Sequence, residues 1–296
     1  MTVLTDFAKV ISGPGARAAV PPERSLGALL MDAGKITAED AERILRFSRE
    51  KRVRFGDAAV ALKLVTADEI QHCLAQQFDY PYLSPGEGSV SVEVAAAWAP
   101  FSHQVEALRA LRTQLLIRWF TDERKSLAVV SAGRGEGRSH LAANLAVVFS
   151  QMGERTLLVD ADLRNPRQHA LFGLSNATGL STILADRASL EAIHRIPSFV
   201  DLSVLTAGAE PPNPLELLGR ESFGATLAEC SARFDVVIVD TPAASLGSDG
   251  HVIAAKSNGA IVLARAHRSR LDACRELASG LRASGVTLVG SVLNDC

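Results

Sequence analysis

The run Ala132-Gly-Arg-Gly-Glu-Gly137-Arg138-Ser139 follows the apolar stretch Leu127–Ser131 and leads into the helical pattern of Leu141–Gln151. A glycine-rich turn that opens a helix directs backbone N–H groups and the positive helix end at one point, where they surround phosphate. The pattern is G-x-x-x-x-G-K-[ST], a Walker A motif, with two departures: Ala132 stands for the first glycine and Arg138 for the lysine. Gly133, Gly135, Glu136, Gly137, Arg138, Ser139 and His140 are the candidate nucleotide-binding residues, and Ser139 keeps a hydroxyl able to hold Mg²⁺. Arginine retains the charge but replaces a compact ammonium with a longer planar fork. Nucleotide binding is therefore expected to persist, while phosphoryl transfer, which depends on fine positioning, is expected to weaken.

Two carboxylate signatures accompany the turn. The apolar stretch Leu157–Val159 ends in Asp160-Ala-Asp162-Leu-Arg164, which places two carboxylates on the same side of an extended segment. The stretch Val236–Val239 ends in Asp240-Thr-Pro242. Carboxylates after apolar strands are costly to bury unless they face a metal, a nucleotide or a cation. With the glycine-rich turn, they point to a Mg-nucleotide site.

Such residues meet only if the elements that carry them are aligned. From about residue 101 onward, apolar runs (LAVVS, TLLVDA, LSVLT, DVVIVD, AIVLA and TLVGSV) alternate with helical segments. This alternation predicts an α/β domain with a mostly parallel sheet covered on both faces, a three-layer P-loop NTPase whose ligand site lies at the carboxyl ends of the strands. The 296 residues fit about two domains. A composition of 47% hydrophobic and 22% charged residues excludes a disordered or collagenous chain, and a net charge of -2 argues against a broad nucleic-acid-binding surface. The cysteines at 73, 230, 274 and 296 form no CxxC pair, the first residues contain no apolar stretch of the length expected of a signal peptide, and no run of about 18 apolar residues occurs. A cytoplasmic location is expected, with any attachment to the inner face of the membrane supplied by a partner.

The Walker A turn, the D-x-D-x-R run, Val236-Val-Ile-Val-Asp-Thr-Pro242 and Pro211-Pro-Asn-Pro-Leu-Glu-Leu-Leu218 together resemble the bacterial tyrosine kinases of exopolysaccharide synthesis, from about residue 101 to 294. The resemblance is greatest to the EpsG-type chain-length determinant kinases. It implies ATP and Mg²⁺ as cofactors. Asp160 and Asp162 would polarise the phosphate acceptor and order Mg²⁺, Asp240 would hold Mg²⁺ through water, and the catalytic set would be Arg138, Asp160, Asp162 and Asp240. A partition ATPase of the MinD type is a relative, but its additional signature lysine falls at Gly133. Glu106-x-x-Arg109-x-x-Arg112 shares one helix face, and the residues alone suggest a solvated charged stripe. In the resembled family this motif lies at the subunit contact of a ring, which implies a homo-oligomer. Kinases of that family commonly end in a tyrosine cluster, whereas this sequence has only Tyr80 and Tyr82. The segment Phe78–Leu83 is expected to pack the end of the first domain.

Before residue 84 an internal repeat is visible. Gly27, Ile36, Thr37, Ala38, Asp40 and Leu45 recur 29 residues later as Gly56, Val65, Thr66, Ala67, Glu69 and Leu74. In each copy a Thr precedes an acid by three residues, so both pairs are expected to cap helices. The expected organisation is a tail at 1–23, a helical tandem-repeat domain at 24–83, a linker at 84–100 and the P-loop domain at 101–296. The repeat resembles the N-terminal domain of MshE-type secretion ATPases, a family that can bind cyclic di-GMP. Arg54 occupies the motif arginine position in the second copy, whereas Ser25 stands there in the first. A docking role for this module and a dinucleotide-sensing one both remain open.

The sequence therefore reads as an ATP-binding, tyrosine-kinase-type regulator of exopolysaccharide chain length or export, working with a membrane polysaccharide co-polymerase. Two alternatives stand beside it: a non-catalytic, nucleotide-gated scaffold, and a cyclic di-GMP-responsive regulator.

Overall fold

The computed structural model describes residues 25–67, 69–70, 73–74, 81–83 and 88–295. The chain divides into two compact units, Met1–Tyr80 and Pro81–Cys296.

In the first unit, α1 (Leu26–Asp32), α2 (Ala38–Lys51) and α3 (Phe55–Ala61) pack with Val65, Ile70 and Cys73 around Leu30, Ile36 and Ile44. Both expected caps are present. The Thr37 backbone N–H donates to Asp40 Oδ2 at 3.1 Å while Asp40 N–H donates back to Thr37 Oγ1 at 3.2 Å. Thr66 and Glu69 repeat the exchange at 2.9 and 3.2 Å. Lys35 bridges the copies through a 2.8 Å ion pair with Glu69. Together with the Thr66 N–H, this lysine holds the Glu69 carboxyl down at about 2.

The second unit is built on a seven-stranded sheet. In chain order its elements are α4 (Ala95–Trp98), α5 (His103–Arg118), β1 (Ser126–Ser131), α6 (Arg138–Ser150), β2 (Thr156–Asp160), α7 (Gln168–Phe172), α8 (Leu180–Leu184), β3 (His194–Arg195) and β4 (Leu202–Leu205). They continue with α9 (Pro214–Gly219), α10 (Glu221–Arg233), β5 (Val236–Asp240), α11 (Asp249–Lys256), β6 (Gly259–Arg265), α12 (Leu271–Ala283) and β7 (Thr287–Asn294). The strand order is β3-β4-β2-β5-β1-β6-β7, parallel except for the two-residue edge strand β3. All six apolar runs became strands; the central β2, β4 and β5 are buried throughout, where both covered faces need apolar side chains, whereas edge strand β7 holds no buried residue. Alternate residues serve opposite cores. Leu127 and Val129 share a core with residues of α4, α5 and α6, whereas Ala128 and Val130 belong to the core on the other face. This gives the three expected layers.

The stretch read as a linker takes a different part. Val90, Val94, Ala96 and Ala97 are buried in the core of the second unit. The Leu83 N–H donates to the Ala97 carbonyl at 2.7 Å, and Asn144 Oδ1 accepts from Ala96 N–H at 2.8 Å. Tyr82 likewise belongs to this unit, edge-on to Phe101 with ring centroids 6.2 Å apart, rather than ending the helical module. Tyr80 lies outside the described residues.

Candidate nucleotide site

β1 ends at Ser131, and the chain turns through Gly135 (φ 70°) and Gly137 (φ 102°) into α6. These left-handed values are open to glycine. At Gly137 a side chain is excluded twice over, since a Cβ would lie 2.6 Å from Asn294 Nδ2. The loop is braced from within and from without. Glu136, 3% exposed, turns its carboxylate inward, accepting from the Gly133 N–H at 2.9 Å and from the Ser269 hydroxyl. Arg265 Nη1 donates to the Gly135 carbonyl at 3.1 Å, and Asn294 Nδ2 to that of Glu136 at 3.1 Å. The Glu136 side chain is thus a brace of the loop.

Arg138 is also turned inward. Its Nε donates to the Thr241 carbonyl at 2.8 Å, and its Nη1 to Ser131 Oγ at 2.5 Å and the Gly133 carbonyl at 2.8 Å. With 8% of its surface exposed, the guanidinium ties the ends of β1 and β5 to the loop. A lysine ammonium could not span these acceptors in the same fixed fork.

β2 and β5 are neighbours, and their register sets Asp160 opposite Asp240. Asp160 Oδ1 accepts from Asp162 N–H at 3.2 Å, and Oδ2 from the Arg167 and Gln168 N–H groups at 3.0 and 2.9 Å. It organises the loop between β2 and α7. Burial and the facing Asp240 push its carboxyl well above the usual range. Asp162 Oδ1 accepts from the N–H groups of Arg164 and Asn165, and its side chain lines a cavity of about 220 Å³ with Gly135, Gly137, Arg138, Ser139 and His140. Burial pushes Asp240 up to about 6, against the opposing effect of the Gln168 amide and the nearby Ser139 hydroxyl.

Asp240 Oδ2 accepts from Gln168 Nε2 at 2.8 Å, while Oδ1 is buried with no hydrogen-bond partner. Leaving a buried carboxylate oxygen without a donor costs about 1–3 kcal/mol or more, and a hydrated cation supplies both the donors and the charge. The donor set fits Mg²⁺, which binds through one or two carboxylates, a hydroxyl and phosphate rather than an all-protein cage. Among the described residues no cluster of three or more His, Cys, Asp or Glu could hold a metal by itself.

Two contributors escaped the sequence reading. Gln168 signals its place only as a polar residue heading an apolar helical run. Asp249, 1% exposed, pairs with Arg164 at 3.1 Å and anchors the Asp162 loop to α11, a contact spanning 85 residues that no local pattern announces.

The Glu106, Arg109 and Arg112 face divides. Glu106 and Arg109 form a 3.0 Å pair along α5. Arg112 turns to the protein and donates to the Val148 carbonyl at 2.6 Å, in the last turn of α6. In the first unit, Arg54 is the exposed residue before α3 and makes no side-chain cap.

No family model matches the sequence. The chain is 34% identical over 201 residues to the tyrosine-protein kinase YwqD of Bacillus subtilis (strain 168), covering 68% of this chain and 85% of that one. Among solved structures it is similar to the kinase domain of the Escherichia coli tyrosine kinase Etk, at 30% identity and a TM-score of 0.66, covering 73% of this chain and 85% of that one. The septum site-determining protein MinD of Pyrococcus horikoshii, at 24% identity and a TM-score of 0.51 over 57% of this chain and 70% of that one, shares the fold.

Proposed function

The chain belongs to the family of bacterial tyrosine-protein kinases, and from that premise we propose that its second unit binds ATP with Mg²⁺ and serves a membrane polysaccharide co-polymerase in controlling exopolysaccharide chain length or export. The observation that carries the nucleotide reading is the unpartnered, buried Asp240 Oδ1 at the foot of a glycine turn whose N–H groups open a helix. When bound, ATP supplies the phosphoryl group and Mg²⁺ offsets its developing charge. The loop N–H groups and the α6 N-terminus bind phosphate. Ser139 and Asp240 would hold the metal. Asp162, which lines the cavity, would orient an acceptor hydroxyl and take its proton.

A second reading, a nucleotide-gated scaffold with little turnover, is favoured by Arg138, whose Nε and Nη1 are engaged inside the protein. The test incubates the purified chain with labelled ATP, Mg²⁺ and the cytoplasmic tail of a candidate co-polymerase, and scores phosphotyrosine. A tail phosphorylated slowly by the wild type and faster by Arg138→Lys supports the kinase reading. A tail left unmodified by both, with nucleotide bound, supports the scaffold.

A further inference from the structure

Gln168 opens α7 with its side chain fully buried. Its Nε2 donates to Asp240 Oδ2 at 2.8 Å and to the Ser139 carbonyl at 3.1 Å, so one amide joins the Asp240 carboxylate to the first turn of α6. Both partners are acceptors, and only the NH₂ end of the amide can face them. Oε1 must therefore point the other way. There it is buried with no hydrogen-bond partner, as is Asp240 Oδ1. Two acceptor oxygens without donors thus sit on side chains joined by a single hydrogen bond, beside the hydroxyl residue of the loop. Holding the turn does not require this amide, because the backbone N–H of residue 168 already donates to Asp160.

We propose that Gln168 is a positioning residue for the metal: it fixes Asp240 by Oδ2 so that Oδ1 is the oxygen presented to a hydrated Mg²⁺. Magnesium keeps several of its waters when bound, and the groups that receive their protons set the ion's place. The inference rests on the Mg-nucleotide reading of the site.

The test titrates ADP into the full chain by calorimetry, with Mg²⁺ and in EDTA, for the wild type and Gln168→Met, which keeps the volume and removes both polar ends. Bound Mn²⁺ is followed by its paramagnetic resonance signal as a second readout. The expected result is that Gln168→Met keeps the metal-free ADP affinity within about two-fold and loses about ten-fold or more of the metal-dependent enhancement, the usual cost of removing an outer-shell partner. Should Gln168→Met not fold, Gln168→Asn withdraws the amide by one methylene and is read in the same way. A variant that keeps the full metal enhancement overturns the role of Gln168 alone. A wild type that binds no ADP under either condition overturns the nucleotide reading, and this inference with it.

Discussion

Asp240 faces Asp160 across β5 and β2, and burial holds its carboxyl at about 6. A carboxylic acid near 4 in the unfolded chain thus binds its proton more tightly when folded. Its stabilising contribution is complete below about pH 4 and is lost as pH rises through about 6. The metal-free chain is expected to unfold more readily at pH 7.5 than at pH 5.5. Asp240→Asn should remove a penalty on the order of 2–3 kcal/mol at the higher pH, as read by denaturant titration at both values; an unchanged pH dependence in the variant contradicts the assignment. Arg138 gives the second expectation at this scale. Replacing a guanidinium that holds three oxygens by lysine should lower stability by about 1–3 kcal/mol even if turnover rises, and an undiminished melting temperature would remove the brace from the account. The types of these residues were legible in the sequence, since a glycine turn and acids after apolar strands have few other uses. The direction of Arg138 was not, because it depends on Thr241, which lies 103 residues away.

Among the elements, α5 and the sheet carry the clearest constraints. Arg112 supports the end of α6 by its bond to the Val148 carbonyl, where the helix dipole favours a cation. Arg112→Ala should cost about 1–2 kcal/mol, whereas Glu106→Ala, at the exposed end of its pair with Arg109, should leave stability nearly unchanged and reduce any self-association seen by light scattering. Equal stability losses from the two substitutions would contradict this division. At the start of β6, a Cβ on Gly259 would lie 2.2 Å from Cζ2 of the buried Trp119, whose Nε1 donates to the Ser126 carbonyl at 2.9 Å. Gly259→Ala should therefore destabilise by about 3 kcal/mol, and a melting temperature equal to wild type would count against this packing. The strands were readable because each is a contiguous apolar run. The two-residue β3 has too few positions to show a period, and the small residues Ala95–Ala97 carry no amphipathic signal, so their burial emerges only from the side of α6 they cover.

At the scale of the molecule, both faces of the sheet are packed by residues from Leu83 onward, while residues 30–73 enclose a core of their own. A fragment of 81–296 is therefore expected to fold alone. In the first unit, Arg54, exposed and at the motif position, is the arginine on which cyclic di-GMP recognition would rest, and its replacement by Ala should abolish any weak response of the full chain. No chemical-shift response at saturating dinucleotide would leave docking as the module's role. If the second unit is a Mg-nucleotide site, equilibrium titration of ATP into the wild-type chain with Mg²⁺ should show saturable binding of one nucleotide per chain at submillimolar concentration, lost in Asp240→Ala; no heat of binding at millimolar ATP would show that the site is something else.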